Sequence, residues 1–134
     1  MKIRSIFTRL LATILFTAGT AAFPEPVVVN TEEIIGHWYG SEQHPESGNI
    51  ETDFTINADN TFSGAMTINN TPVWQYSGTW SLQGNQITWV YLESNLILFQ
   101  EDKQDIDVIL SVTDDALAYR SLRRGKESIL QRVK

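Results

Sequence analysis

Apolar and polar positions alternate with a period of two through 73–93, and the two faces are cleanly sorted. Trp74, Tyr76, Gly78, Trp80 and Leu82 fall on one face, and Gln75, Ser77, Thr79 and Ser81 on the other. That is the pattern of an antiparallel strand covering a core. A two-residue turn at Gly84-Asn85 brings Leu82 opposite Ile87, Trp80 opposite Trp89, Gly78 opposite Tyr91 and Tyr76 opposite Glu93. A second hairpin is written around a three-residue loop, Ala58-Asp59-Asn60, in which Asn60 supplies the left-handed residue such a loop needs. Here Ile56 faces Phe62, Phe54 faces Gly64, Thr52 faces Met66 and Ile50 faces Ile68. Phe54 over Gly64 repeats Tyr91 over Gly78. A glycine inside a strand marks a gap covered by a neighbouring ring or a bend in the sheet, so the pair predicts a sheet curled enough to close.

The same period places the other elements. A first strand runs from Gly36 through Trp38 to about Ser41, followed by a loop over 41–49 where no apolar period survives. A turn at 69–72 leads to strands at 73–82 and 86–93. Ile106, Val108, Leu110 and Val112 alternate as a sixth strand, and 117–122 and 127–133 make the seventh and eighth. Asn30 with Glu33 has the spacing of a capping box and predicts one helical turn over 31–35. Leu96-Ile97-Leu98-Phe99 does not fit as a ninth strand, because an all-antiparallel up-and-down barrel closes with an even count. It is placed as an extension or flap, with ten strands as the alternative. The fold class predicted is all-β, an antiparallel up-and-down barrel of about eight strands over 34–134.

The ends change the picture. Lys2, Arg4 and Arg9, the short apolar run 10–18 and the small residues Ala21-Ala22 read as a secretory signal peptide over 1–22, too short for a membrane span. The expected location is therefore the periplasm or the exterior, with no membrane span in the mature chain. Residues 23–33 read as an extended, proline-stiffened tail and the short helical turn. Cleavage after Ala22 removes three of the ten basic residues and none of the sixteen acidic ones, leaving a net charge of −9. Such a charge repels polyanions and excludes nucleic acid as a partner. With no cysteine in the chain, the domain must be stabilised by its core without disulfides.

Ile34-Ile35-Gly36-His37-Trp38-Tyr39, with glycine and tryptophan two apart at the start of the first strand, resembles the lipocalin signature. Ala58-Asp59-Asn60-Thr61-Phe62 and 76–82 look like the corresponding stretches of small bacterial lipocalin-like domains, and the resemblance runs from Ile34 to Val133. It implies that Gly36 and Trp38 are structural and that Trp38 plugs the closed end beneath an arginine of the last strand. Arg132, set opposite Leu117 by a turn at Arg124-Gly125, is the expected arginine, and Arg120 the alternative. The chain is shorter than a typical lipocalin, and it lacks the family's usual disulfide and outer helix. Small exported barrels of this kind also resemble periplasmic protease inhibitors, whose extended N-terminal segment enters the enzyme. That likeness makes a protein partner acting on the 23–30 tail the second functional class.

In such a barrel the loops 41–49, 69–72, 94–105 and 123–126 share the open mouth. The inward residues nearest it are Thr52, Met66, Ile68, Trp74, Tyr76, Tyr91 and Ile106. Eight strands enclose side chains alone or one small ligand. The rings therefore either fill the barrel or line a cup for a small hydrophobic ligand, with Met66, Trp74, Tyr76 and Tyr91 as walls. Arg123, Arg124 and Lys126 form a basic turn at the mouth that would meet a polar head. Chemistry finds little support. His44 with Glu42 and Glu46 could bind a metal, but three such residues in one nine-residue loop are a weak signal. Glu101, Asp102, Asp105 and Asp107, which could coordinate calcium, lack the glycine and fixed spacing of an EF-hand and read as a solvated face. No Ser-His-Asp order or phosphate loop occurs. The expectation is a non-enzymatic protein with no catalytic residue, metal or cofactor.

Overall fold

A computed structural model describes residues 27–96 and 104–134. The signal peptide, the tail as far as residue 26 and the run 97–99 lie outside the described residues. Those described form one four-residue helix, α1 (Thr31–Ile34), and eight strands: β1 (Gly36–His44), β2 (Gly48–Ile56), β3 (Thr61–Ile68), β4 (Thr71–Gln83), β5 (Gln86–Ser94), β6 (Gln104–Val112), β7 (Ala116–Ser121) and β8 (Glu127–Arg132). The strands pair in sequence order, all antiparallel, into a closed barrel.

Tight turns fix the registers. The β2–β3 hairpin pairs Ile50 with Ile68, Thr52 with Met66, Phe54 with Gly64 and Ile56 with Phe62, around a loop in which Asn60 has φ +65°. Asn69 and Asn70, at φ +50° and +68°, make the β3–β4 turn, whose mirror-image geometry matches the strand twist. The β4–β5 hairpin pairs Leu82 with Ile87, Trp80 with Trp89 and Gly78 with Tyr91. Beyond Gly78 the register slips, so Tyr76 lies opposite Ser94 rather than Glu93. The slip is a bulge, and it explains Gly78: a Cβ there would run into the Val90 carbonyl oxygen. Gly64 is covered by the Tyr76 ring of β4, not by Phe54. Both glycines permit close approach, one to backbone and one to a ring.

Two further expectations are corrected. Most of the loop expected over 41–49 is strand: β1 and β2 stay paired out to His44 and Gly48. The period was lost there because the ends of this hairpin pass beyond the core and are wet on both sides. His44 closes its turn, its Nδ1 accepting the Glu46 and Ser47 amides at 3.3 Å each. In β6 the inward set is Asp105, Asp107 and Ile109, so Ile106 does not face the interior. A second bulge, at Leu110 between the Ile109–Tyr119 and Ser111–Ala118 pairs, moves the phase by one before Val112 meets Leu117.

The closed end is filled by α1 and the core behind it. Val29, Ile34, Trp38 and Ile56 are buried there, and the Trp38 indole donates to the Ile34 carbonyl at 2.9 Å. Asn30 and Glu33 cap the helix start, the Glu33 carboxylate accepting the Asn30 amide at 3.0 Å. β8 completes the barrel by pairing Arg132 with Trp38 and Gln131 with Tyr39. Towards the mouth β1 and β8 diverge, and the Lys126–Glu42 ion pair, 2.5 Å, spans the gap.

Candidate ligand-binding site

The barrel is hollow above this plug. A cavity of about 380 Å³ opens at the mouth. All six residues expected to touch a ligand line it: Met66, Trp74, Tyr76, Tyr91, Arg123 and Arg124. Thr52 lines it too, and so does Leu96, the first residue of the apolar run. Ile68, opposite Ile50 at the rim, and Ile106, on the outer face of β6, do not.

The upper wall is a ring stack. Trp74 and Tyr76 lie 4.1 Å apart between centroids, Tyr76 and Tyr91 5.6 Å, and Trp74 and Tyr91 5.8 Å. Two of the rings are held from behind. The Trp74 indole donates to Ser94 Oγ at 2.9 Å, and Tyr76 is pinned over Gly64. The floor is Phe54 and Trp89, edge to face at 5.0 Å, with Phe62 beneath. Burial pushes the Tyr76 and Tyr91 hydroxyls well above their ordinary range, so both stay protonated and can donate. Tyr76 is 8 % exposed.

The opposite wall is acidic, a feature the sequence reading placed on a solvated face. Asp107 accepts the Trp89 indole N–H at 2.8 Å. Burial pushes its carboxyl up to about 6, with the indole hydrogen bond opposing and Asp105 adding to the rise. Asp105 lies nearer the mouth and is partnered: the Arg123 guanidinium is 3.5 Å away, and the Ile106 amide donates to it at 3.0 Å. Arg123 also donates to the Gln104 carbonyl at 3.0 Å, and Lys126 is taken by Glu42. The basic turn is thus largely turned to the protein's own acceptors, with Arg124 left at the exposed rim.

The three residues given a structural role sit together at the other end. The Arg132 guanidinium lies 4.2 Å from the Trp38 ring centroid and donates to the carbonyls of Glu33 (2.7 Å), Ile35 (2.9 Å) and Asp114 (2.8 Å). Gly36, at φ +147°, leaves the space: a Cβ there would stand 2.6 Å from an Arg132 nitrogen. Arg132 is not opposite Leu117, which pairs with Leu130. It lies two residues further along, where its amide meets the Asp115 carbonyl at 2.8 Å.

Asp105, Asp107, Trp89, Tyr119 and Ile109 also line the cavity and were not singled out from the sequence. For Trp89 the signal was there, since it shares the inward face of its strand with Tyr91 and Ile87. For β6 it was not, because the apolar positions named the wrong face.

No curated protein matches the chain. The profile described as a lipocalin-like domain matches residues 34–119, from the last residue of α1 into β7. With signature glycine, plugging tryptophan and eight-stranded closed barrel all in place, the chain belongs to the lipocalin-like domain family.

Proposed function

We propose that this protein is an exported, non-enzymatic binder that holds one small apolar or amphipathic molecule inside its barrel. The observation that carries this reading is the cavity itself. Its volume of about 380 Å³ lies at the lower end of the roughly 300–1,000 Å³ range of small-molecule sites. Rings braced by their own hydrogen bonds and stacking form its wall, a preorganised apolar surface with a few polar groups. The signal-like first 22 residues support export. A binding role is favoured over catalysis by how the polar groups are used. Asp107 holds an indole, Asp105 holds an arginine, and the histidines serve elsewhere: His37 meets Asp53 at 2.7 Å and His44 caps a turn. Action through the N-terminal tail is less favoured, because Val29 is anchored in the core.

Native mass spectrometry of the protein purified from cells expressing the whole chain tests the proposal. A released mass of a few hundred daltons is the expected result. A bare chain, together with no tryptophan quenching by fatty acids, retinoids, quinones or small aromatic compounds, would remove it.

A further inference from the structure

We propose that the ligand carries a cationic nitrogen, making the cavity a site for a small organic amine whose charge is met by Asp107 and whose body stacks on the surrounding rings. This rests on the binding function proposed above and names its ligand class.

A carboxylate inside an apolar barrel is costly unless it is paired or fully hydrogen-bonded. Asp107 has neither form of compensation: the Trp89 indole is its one side-chain donor, and no cation stands within ion-pair distance among the described residues. The nearby basic residues do not pair with it. Arg123 is engaged with Asp105 and the Gln104 carbonyl and Lys126 with Glu42, while Arg124, exposed at the rim, makes no ion pair with Asp107 and is the smallest of the influences on its carboxyl. An ammonium group would supply the missing partner.

Two independent features point the same way. Trp74, Trp89, Tyr76 and Tyr91 surround the space with ring faces and edges, and ring faces attract organic cations. Tyr76 lines the space from the opposite wall, and its hydroxyl oxygen, kept protonated, offers a lone pair there. The chain's net charge of −6 also favours the approach of cations from solution. The small cavity suits an amine on a single aromatic ring better than a long acyl chain.

The test uses three probes of similar size and different charge: phenethylamine, 2-phenylethanol and 3-phenylpropanoate. Each is titrated calorimetrically into the protein purified after expression of the whole chain, and into Asp107→Asn, whose amide oxygen can still accept from Trp89. The amine is expected to bind about tenfold or more tighter than the alcohol. Asp107→Asn should abolish that preference and leave alcohol affinity within about twofold, as expected for loss of a charge without loss of shape. Amine affinity in the wild type should also fall as pH drops through 6, while alcohol affinity should not. Asp105 on the same strand, Tyr91 on β5, Tyr119 on β7 and Arg123 and Arg124 on the β7–β8 turn also face this region. The variant is therefore what assigns the titration to Asp107. Equal binding of amine and alcohol, an amine preference that survives Asp107→Asn, or tighter binding of the anion would each overturn the proposal and leave the cavity function standing. Failure of all three probes to bind would overturn both.

Discussion

Asp107 is where this molecule departs furthest from what stability alone would select. Its carboxyl titrates at about 6 in the fold against an ordinary 3.8, so the folded state holds the proton more tightly than the unfolded chain does. The contribution of this one group to stability is therefore fully present below about pH 4, declines as the pH rises towards 6, and stays at the lower level above it. A displacement of this size corresponds to about 2–3 kcal/mol. Asp107→Asn is expected to stabilise the protein by about 2 kcal/mol at pH 7 and by almost nothing at pH 4. Urea melts of both proteins at the two pH values would show it, and a variant no more stable at pH 7 would mean that the charge is already compensated. Arg132 is the opposite case, a charge with every partner it needs. Losing three carbonyl contacts and the stack on Trp38 should destabilise Arg132→Ala by about 2–4 kcal/mol. Arg132→Lys should recover only part of that, since an ammonium cannot fork. Thermal melts would read both, and ligand binding by the folded fraction should be unchanged, because the plug lies at the far end from the mouth.

At the scale of the strands, the described residues hold three bulges, one in the β3–β4 pair between Met66 and Thr67 and the two that set the inner face, at Gly78 and Leu110. Of those two, Gly78 sits at the first, where Tyr91 and Leu92 are accommodated against a single β4 position, and a side chain there meets main chain that cannot withdraw. Gly78→Ala should therefore cost about 2–4 kcal/mol. Gly84→Ala, in open space at φ +63°, should lose only the left-handed preference, about 1 kcal/mol. Denaturant midpoints that rank the two the other way round would contradict this account. The same bulges mark how far the sequence could be read. Hairpin registers were legible because Asn60, Gly84 and the Asn69-Asn70 pair pin the turns from which each register is counted. The Tyr76–Glu93 pair failed because counting continued past a bulge, which leaves no periodic signature. In β6 the Leu110 bulge hid the phase. Ile106, Val108 and Leu110 looked like a core face and are an outer one, so the carboxylates of the inner wall were taken for solvent-facing. The aromatic half of the site was thus readable from alternation and the acidic half was not.

For the whole barrel, the decisive question is where it is held least. Seven of the eight junctions join strands consecutive in sequence through five or more residue pairs, but β1 and β8 come from opposite ends of the domain and share two before they part. Beyond Gly40 a groove lined by Gly40, Glu42, Ser128 and Ile129 separates them, and the Lys126–Glu42 pair bridges it at the mouth. That bridge joins two half-exposed side chains, so it contributes little: Glu42→Gln should change stability by less than about 1 kcal/mol. Backbone amides facing this groove, in 41–44 of β1 and 127–129 of β8, therefore lack the cross-strand cover that those of β3 and β4 have. Amide hydrogen exchange by mass spectrometry should find these two segments exchanging first, while the β3–β4 pair exchanges only with global unfolding. If the ligand proposed here binds, it contacts Leu130 and Tyr119, which line both the cavity and the groove, and protection at the seam should rise on binding. Uniform protection around the barrel would instead mean that the β1–β8 closure is as firm as any hairpin, and that ligand reaches the interior through the mouth without loosening the wall.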